Sequence, residues 1–307
     1  MSEKRQTTGT VAVILVTLAM VFYGISFPAT RLVLEVYNPV TIITFRLIVS
    51  SLFLMVMNVA VNRRRALPVV RDLPLFLLIA LFQPFLYFLF ETYGLKSVSA
   101  AVASVIIATM PVVTPLFARV LIREVLLVQN IIGAVVSFLG VVLLVFSSFH
   151  EPGSGEMSAF GMLLIAGAMV SAVLYTIAVR KLPVHYSPIT ITAVQNTIGL
   201  LFFLPLFLVM ESRAAFTVRP DGATVAAILV LALFASSLAF IFLNYGIQHL
   251  GPTRANGFVN LIPVITAVTS YLFFDETFTV MKIAGMVVVL AGVVVSQRGK
   301  RVRHKSA

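Results

Sequence analysis

The chain has no cysteine and no tryptophan, and only 11 of its 307 residues are acidic. The lack of cysteine excludes disulfides, thiolate nucleophiles and zinc–thiolate sites. Charged residues make up 11% of the chain, whereas a soluble domain carries about 25% because its surface faces water. The polar residues needed to cover a water-soluble globule are therefore missing.

Apolar residues take their place, at 60% of the chain with a mean hydropathy of +1.07. They form continuous runs of the length that crosses a bilayer, about 20 residues. Backbone groups in lipid must bond one another, so only helices or a closed barrel can cross. The runs do not alternate with a period of two, as barrel strands would. We therefore expect an all-α polytopic membrane protein.

Polar or turn-rich joints divide the apolar sequence into ten predicted transmembrane helices. The predicted spans are residues 11–34, 39–61, 74–95, 98–121, 127–148, 157–180, 187–210, 223–246, 252–274 and 279–297. Five spans fall in residues 1–150 and five in residues 151–307, which also carry a basic tail.

The net charge of +11 would suggest nucleic acid as a partner of a soluble protein. Here the basic residues lie in short joints and tails, so that partner is not expected. With a cytoplasmic N-terminus, the outer joints hold few basic residues: Arg31, Lys96, Arg213, Arg219 and Lys282. Most of the others lie in the inner joints and tails, including residues 63–65 and 298–305. The positive-inside rule then predicts that both termini are cytoplasmic.

An internal repeat appears when the sequence is shifted by 152 residues against itself. The offset aligns Pro111 with Pro263, Glu124 with Glu276, Gly133 with Gly285, Gly140 with Gly292, and Tyr23 with Tyr175. With a small gap, Asn38-Pro39 matches Ser187-Pro188 and Arg46 falls on Gln195. Each repeat has an odd number of spans, so the second enters the membrane inverted. Inverted repeats with a substrate site near the bilayer midplane are typical of secondary transporters.

These motifs resemble the drug/metabolite transporter superfamily, and within it the EamA-type ten-helix exporters, over nearly the whole chain. They are Tyr23-Gly24-Ile25-Ser26-Phe27 ending in Arg31, Asn38-Pro39 followed by Arg46, and the two Pro-to-Glu segments. The family usually has tryptophan at the position of Tyr23 and lysine at that of Arg31. The resemblance implies a bacterial inner-membrane carrier of small metabolites, often amino acids or their derivatives, that works without ATP.

Two charged residues within spans, Arg46 and Glu91, are candidates for function because a charge in the bilayer is costly. Both are predicted at similar depth and within reach of an ion pair. An arginine fork suits a substrate carboxylate, and Glu91 is a candidate proton carrier. The alternative is a structural pair that holds the second and third spans together.

Polar residues recur at helical spacing on three predicted spans. They are Gln83, Tyr87, Glu91 and Gly94; Ser237, Phe240 and Asn244; and Asn256, Asn260 and Pro263. Such stripes face a wet cavity or neighbouring helices. The candidate substrate-binding residues are therefore Tyr23, Phe27, Arg46, Gln83, Tyr87, Glu91, Tyr175, Gln195, Asn244, Asn256 and Asn260.

Other motifs receive conformational or structural roles. Pro111 and Pro263 each free a mid-span carbonyl and are candidate hinges. Glu124 and Glu276 are expected to cap span ends, and the glycines at seven-residue spacing to form smooth packing faces, with a homodimer contact left open. The four histidines are scattered, so we expect no metal site, and there is no phosphate-binding glycine loop.

The sequence thus favours a secondary transporter that exports small amphipathic metabolites, most of all amino acids, across the bacterial inner membrane. It needs no cofactor, and proton coupling stays open. A proton-coupled exporter of lipophilic cations is the first alternative, although the first span lacks an acid. A membrane-embedded enzyme is the remote alternative, because no cluster of acids, nucleophiles or metal ligands is present.

Overall fold

The computed structural model describes residues 2–62, 68, 70–123, 128–148, 158–183, 185–274 and 280–297. The helices are α1 Ser2–Leu34, α2 Pro39–Asn62, α3 Leu73–Ala80, α4 Tyr87–Leu95, α5 Ala100–Ile107, α6 Met110–Ile122, α7 Val128–Ser148, α8 Ala159–Arg180, α9 Pro188–Met210, α10 Ser212–Thr217, α11 Gly222–Val230, α12 Ala239–Leu250, α13 Pro252–Asn256, α14 Leu261–Phe274 and α15 Val280–Gln297. The all-helical class predicted from the apolar runs is confirmed.

Seven helical stretches are long and apolar enough to cross a membrane. They are Thr8–Leu34, Pro39–Val61, Val70–Leu95, Val102–Ile122, Ala159–Arg180, Pro188–Met210 and Gly222–Leu250. The other three predicted spans, residues 127–148, 252–274 and 279–297, contain α7, α13 with α14, and α15. Shorter apolar helical stretches lie within two of these spans, at Ile131–Gly140 and Ile283–Val295.

Two long stretches contain a π-helical segment, Leu81–Leu86 between α3 and α4 and Leu231–Leu238 between α11 and α12. Within the first, Gln83 leaves helical geometry (φ −151°, ψ 119°) and Pro84 follows. Extra residues in a helical turn rotate the side chains that follow, and such bulges are frequent at functional sites. The sequence patterns did not predict either segment.

Two further stretches are interrupted just before a proline. Helix α5 ends at Ile107 and α6 begins at Met110, while α13 ends at Asn256 and α14 begins at Leu261. Pro111 lies in the first turn of α6. An N–H in this turn would have no partner within the helix, so proline loses no hydrogen bond there, and its fixed φ suits the helix. Pro263 likewise lies in the first turns of α14. The prolines thus restart helices rather than kink continuous ones.

The helix contacts follow the internal repeat. Helix α1 packs on α12 and α14, while α8, its counterpart in the second repeat, packs on α4 and α6. Helix α2 packs on its own counterpart α9, and α7 packs on its counterpart α15. The main packing pairs therefore either map onto one another or join two corresponding helices.

The contact between α7 and α15 is symmetric in detail. A Cβ at Gly140 would meet the backbone of Val289 and Gly285, and one at Gly292 would meet the backbone of Ser137 and Gly133. The Ser137 hydroxyl donates to the carbonyl of its own repeat counterpart, Val289, at 2.9 Å. These glycines allow close backbone approach of α7 and α15 within the chain.

Candidate functional site

A cavity of about 30 Å³ lies among α1, α4, α6, α8, α12 and the α13–α14 turn. Its lining includes Met20 with Ala172, Ile107 with Val259, and Met110 with Ile262, three pairs that the repeat offset aligns. The remaining lining residues are Tyr23, Gln83, Tyr87, Thr176, Leu243 and Asn256. A cavity of this size has room for about two water molecules, whereas sites for drug-sized ligands enclose about 300–1,000 Å³.

The irregular backbone segments place the cavity walls. The α5–α6 interruption supplies Ile107 and Met110, and the α13–α14 interruption supplies Asn256 and Val259. The π segment contributes Gln83, whose non-helical backbone angles set its direction. Irregular backbone at membrane depth is found where it is buried in protein or lines a polar cavity.

Two lining residues carry polar atoms that make no hydrogen bond among the described residues. They are the hydroxyl of Tyr23 and the side-chain oxygen of Asn256, and both atoms are buried. The side-chain nitrogen of Asn256 is satisfied, because it donates to the hydroxyls of Thr114 (2.9 Å) and Thr176 (3.1 Å). Buried polar atoms are normally bonded, so each unpaired one needs an explanation.

The two candidate charges lie beside this cavity. The Tyr87 hydroxyl, on the cavity wall, donates to Oε1 of Glu91 at 3.1 Å. Arg46 donates through Nε to Ser236 (2.8 Å), and its guanidinium lies 4.0 Å from the centre of the Phe88 ring, a cation–π distance. Both residues are almost fully buried, with 2% and 4% of their surfaces exposed.

Arg46 and Glu91 interact electrostatically with each other and with the Tyr23 and Tyr87 hydroxyls. Their contacts among the described residues do not include the direct ion pair that the sequence suggested. Arg46 is instead turned toward the π segment of the second half, where it reaches Ser236. The terminal guanidinium nitrogens make no hydrogen bond with the described residues.

A buried polar cluster surrounds the Arg46 contact. The amide nitrogen of Asn196 donates to the Ser50 hydroxyl (2.8 Å) and to the Ser236 carbonyl (2.6 Å). Ser50 and Ser237 share a hydrogen bond of 2.8 Å. The Ser236 carbonyl is available because the π segment disturbs the helical hydrogen-bond ladder there. Sequence reasoning missed Ser50, Asn196 and Ser236, although serine pairs in apolar spans could have signalled them.

A second network joins Tyr175, Gln195 and Asn244. The Tyr175 hydroxyl lies 2.7 Å from Oδ1 of Asn244 and 2.9 Å from Oε1 of Gln195. The Asn244 nitrogen donates to Thr192 (3.0 Å), whose own proton goes to Pro188 (2.8 Å). Because a hydroxyl has one proton, Tyr175 donates to one of these two oxygens at a time. The side-chain nitrogen of Gln195 makes no hydrogen bond among the described residues.

An aromatic cluster connects the three groups. Phe240 lies 5.7 Å from Tyr23, 6.0 Å from Tyr175 and 6.1 Å from Phe88, centre to centre and nearly perpendicular in each case. Edge-to-face pairs of this kind are stabilising. Tyr23 corresponds to Tyr175 and Phe88 to Phe240 under the repeat offset. The four rings therefore comprise two repeat-related pairs.

The predicted site residues separate into these environments. Tyr23, Gln83, Tyr87 and Asn256 line the cavity. Arg46, Glu91, Tyr175, Gln195 and Asn244 belong to the adjoining contacts. Phe27 lies in the core, 1% exposed, and Asn260 is buried, with neither side-chain polar atom hydrogen-bonded to another described residue.

The predicted stripe on the third span does not continue along one face. Tyr87 and Glu91 are bonded four residues apart, but Gly94 packs against Ile165 and Gly161 of α8. The π segment before Tyr87 also changes the spacing that the pattern assumed. Glu124, Glu276 and the boundary at residues 150–151 lie outside the described residues.

The sequence also missed a contact between the two halves at the end of the molecule that holds the α2 C-terminus. The Tyr186 hydroxyl donates to Oδ2 of Asp72 at 2.7 Å. The gapped alignment that matches Asn38-Pro39 with Ser187-Pro188 also matches Tyr37 with Tyr186 and Asp72 with Asp221. Extending that alignment could have singled out all four residues.

Among the described residues, no group of three or more histidine or acidic side chains could hold a metal ion. The chemistry available at the cavity is therefore that of neutral hydrogen-bonding groups with one cation and one acid beside them.

Comparisons with known proteins agree with this architecture. The model of the EamA-like transporter family matches the chain twice, at residues 10–146 and 159–297. A solved crystal structure superimposes with a TM-score of 0.72 over 95% of this chain and 96% of that chain, at 16% identity. That likeness concerns the fold alone.

Curated relatives align over nearly the whole chain. An uncharacterized transporter of Archaeoglobus fulgidus is 25% identical over 93% of this chain and 98% of its own. An uncharacterized transporter of Bacillus subtilis is 25% identical, covering 94% and 92%. A probable terminal-alkyne amino-acid exporter of Streptantibioticus cattleyicolor is 26% identical, covering 96% of each chain. The bacterial relatives point to the inner membrane, and the family indicates a transporter rather than an enzyme. The chain is a multi-pass membrane protein of the EamA-like transporter family.

Proposed function

We propose that this transporter is a secondary carrier that exports small amphipathic metabolites, amino acids or their derivatives above all, by alternating access without ATP. The observation that carries the proposal is the position of the cavity. Its walls contain three residue pairs that the internal repeat aligns, as expected for a site on the axis that relates two halves. A site on that axis can open to either side when the halves exchange conformations.

The proposed topology is ten transmembrane helices arranged as two inverted five-helix repeats, with both termini cytoplasmic. The paired helix contacts and the two matches of the family model, residues 10–146 and 159–297, support two equivalent halves. The division lies between residues 1–150 and 151–307. In this arrangement the interruptions before Pro111 and Pro263 act as hinges beside the substrate.

The substrate carboxylate is proposed to bind Arg46. Its Nε is held by Ser236 and its plane rests on Phe88, which fixes the direction of the two terminal nitrogens. A planar fork of this kind recognises a carboxylate through two parallel hydrogen bonds. The amino-acid exporter among the relatives is consistent with a zwitterionic substrate.

Counterflow in proteoliposomes tests the proposal. Proteoliposomes that contain the purified protein are loaded with one unlabelled compound at a time, from a panel of amino acids and two lipophilic cations. Uptake of the same compound in labelled form is then measured. We expect exchange of at least one amino acid, loss of that exchange in Arg46→Ala, and partial retention in Arg46→Lys, which keeps the charge without the fork. Exchange of the cations alone would refute the amino-acid assignment.

The contact of Glu91 with a cavity residue favours a second candidate, a proton-coupled exporter of lipophilic cations. The Tyr87 hydroxyl links the carboxylate to the cavity wall at 3.1 Å, and buried acids often mark proton pathways. In that case the cations exchange, Glu91→Gln abolishes transport driven by a pH gradient, and Arg46→Ala leaves exchange intact. The same panel therefore separates the two candidates.

A further inference from the structure

The Asn256 side chain is held in one orientation by its neighbours. The Thr176 hydroxyl donates its proton to the Val173 carbonyl at 2.9 Å, so it can only accept from Asn256. The 3.1 Å contact between Thr176 and Asn256 must therefore be made by the amide nitrogen. The amide oxygen then points away from both threonines.

That oxygen is a fixed hydrogen-bond acceptor on a residue that lines the cavity. Asn256 is 0% exposed and lines the cavity, and its Oδ1 is buried without a hydrogen-bond partner among the described residues. Leaving such an atom unbonded is unfavourable, and a partner that donates to it gains correspondingly. A hydrogen-bond donor in the cavity is the group that this oxygen selects.

We propose that Asn256 is the specificity residue for an N–H donor of the substrate and binds its ammonium group through Oδ1. This inference rests on the proposed transport function. The Tyr23 oxygen, also unpaired on the same wall among the described residues, is a second acceptor for the same group. A quaternary nitrogen has no N–H, so it gains nothing at either oxygen.

The test compares matched compounds with and without N–H. Counterflow and the ligand-induced shift in Tm are measured for L-phenylalanine and its N,N,N-trimethyl betaine, and for phenethylamine and phenethyltrimethylammonium. Whichever pair the protein exchanges, the wild type should prefer the compound that carries N–H over its quaternary counterpart by about tenfold, as expected for one hydrogen bond to a charged group. Asn256→Leu should remove this preference by weakening the N–H member alone.

Asn58→Leu is the matched control, because Asn58 is a buried asparagine of α2 that does not line the cavity. It should keep the preference. Asn256→Asp retains an acceptor of the same shape and covers the case in which the leucine variant does not fold. An unchanged preference in Asn256→Leu, or exchange of the quaternary compounds alone, overturns the role of Asn256. Failure of all amino acids while phenethylamine keeps its preference overturns the proposed substrate class instead.

The Tyr186–Asp72 contact supports a second, independent inference about the two ends of the molecule. The repeat-related pair, Tyr37 and Asp221, is arranged differently. Asp221 is fully exposed and accepts from the backbone N–H of Thr224 at 2.9 Å, while the Tyr37 ring packs edge-on against Phe45. One end thus has the tyrosine–carboxylate hydrogen bond between halves, and the described contacts at the other end do not include it.

We infer that these two pairs are alternating latches: Tyr186–Asp72 closes the end that it joins in the state described, and Tyr37–Asp221 closes the opposite end in the other state. In an inverted repeat the two states interchange the environments of corresponding residues. A bond made at one end in one state is therefore made at the other end in the other state. Each latch opens as its counterpart forms.

The absence of native cysteine allows a direct test. A cysteine at Ala172, on the cavity wall, is labelled with a membrane-impermeant maleimide from each face of oriented vesicles. Tyr186→Phe should raise labelling from the face that Tyr186 closes relative to the other face, by about tenfold for a lost bond to a carboxylate. Tyr37→Phe should shift the ratio in the opposite direction.

Asp72→Asn provides a second way to weaken the first latch with little change of shape, if Tyr186→Phe proves unstable. Asp221→Asn is its matched partner at the other end. Opposite shifts for the two ends support alternating latches. Shifts in the same direction, or no shift for either pair, overturn the inference, whichever compound the protein transports.

Discussion

The two halves contribute the same aromatic rings around the cavity but bond their polar groups differently. The hydroxyl of Tyr175 in the second half bonds the side-chain oxygens of Asn244 and Gln195, whereas the hydroxyl of its counterpart Tyr23 has no partner among the described residues. The first half also supplies Arg46 and Glu91. Repeated architecture therefore does not imply repeated chemistry: one tyrosine of the repeat-related pair is hydrogen-bonded and the other is not, and both buried charges beside the cavity come from the first half.

The two halves are equivalent at the symmetric contact between α7 and α15. Substitutions there should produce the largest change in the free energy of unfolding. Gly140→Leu and Gly292→Leu each force a side chain into the backbone of the facing helix. We expect each to lower the free energy of unfolding by about 3 kcal/mol, the upper range for overpacking. Tm measurements in detergent would show similar losses, and strongly unequal losses would argue against the symmetric contact.

Removal of the hydroxyl should lower the stability of the protein at Tyr175 but not at Tyr23. Tyr175→Phe leaves the side-chain oxygens of Asn244 and Gln195 without the hydroxyl that donates to them, so it should cost about 1–3 kcal/mol of stability. Tyr23→Phe removes an unpaired hydroxyl and should leave Tm unchanged or slightly raised, while it alters exchange. Tm and counterflow measured on both variants test this contrast, and equal destabilisation would remove it.

Glu91→Gln tests whether Glu91, the buried acid beside the cavity, couples transport to protons. Glutamine keeps the acceptor for Tyr87 but carries no ionisable proton. The equilibrium constant of unfolding and the counterflow rate should therefore each change by less than about threefold. Uptake driven by a pH gradient should fall to the level seen without a gradient if Glu91 carries the proton. Unaltered gradient-driven uptake would assign the proton elsewhere or leave a facilitator.

Ser236→Ala should have the smallest effect. The substitution removes the hydroxyl that accepts from Arg46 Nε at 2.8 Å and leaves the Ser236 carbonyl bonded to Asn196. A single hydrogen bond of this kind contributes about 1 kcal/mol, which corresponds to a several-fold higher KM with kcat retained. A change in kcat without a change in KM would show that Ser236 does not position the guanidinium for binding.

The sequence predicted the helical membrane class, the family and the repeat because hydropathy and the Pro, Glu and Gly coincidences depend on local pattern alone. Of the eleven candidate substrate-binding residues, four line the cavity, namely Tyr23, Gln83, Tyr87 and Asn256, and their part in binding stays a prediction. The sequence did not predict the π segments, since no residue pattern distinguishes an extra residue in an apolar turn. Ser236, which bonds Arg46, lies in the second π segment, Leu231–Leu238, and it was missed for the same reason.

The Tyr186–Asp72 contact illustrates a different limit. Its residues lie 114 positions apart and in polar joints, where hydropathy carries no information. Only the gapped alignment of the two halves relates them to Tyr37 and Asp221. Whether each pair is bonded depends on the conformational state, which a sequence pattern does not specify.

The most direct measurement is two-sided labelling of Met20→Cys and Ala172→Cys, a pair of cavity residues related by the repeat. Each single-cysteine protein, reconstituted in oriented vesicles, is treated with an impermeant maleimide from one face or the other, with and without the amino acid found by counterflow. We expect both cysteines to react from both faces and the substrate to protect both. Reaction from one face only, with no protection, would contradict an alternating-access site between the halves.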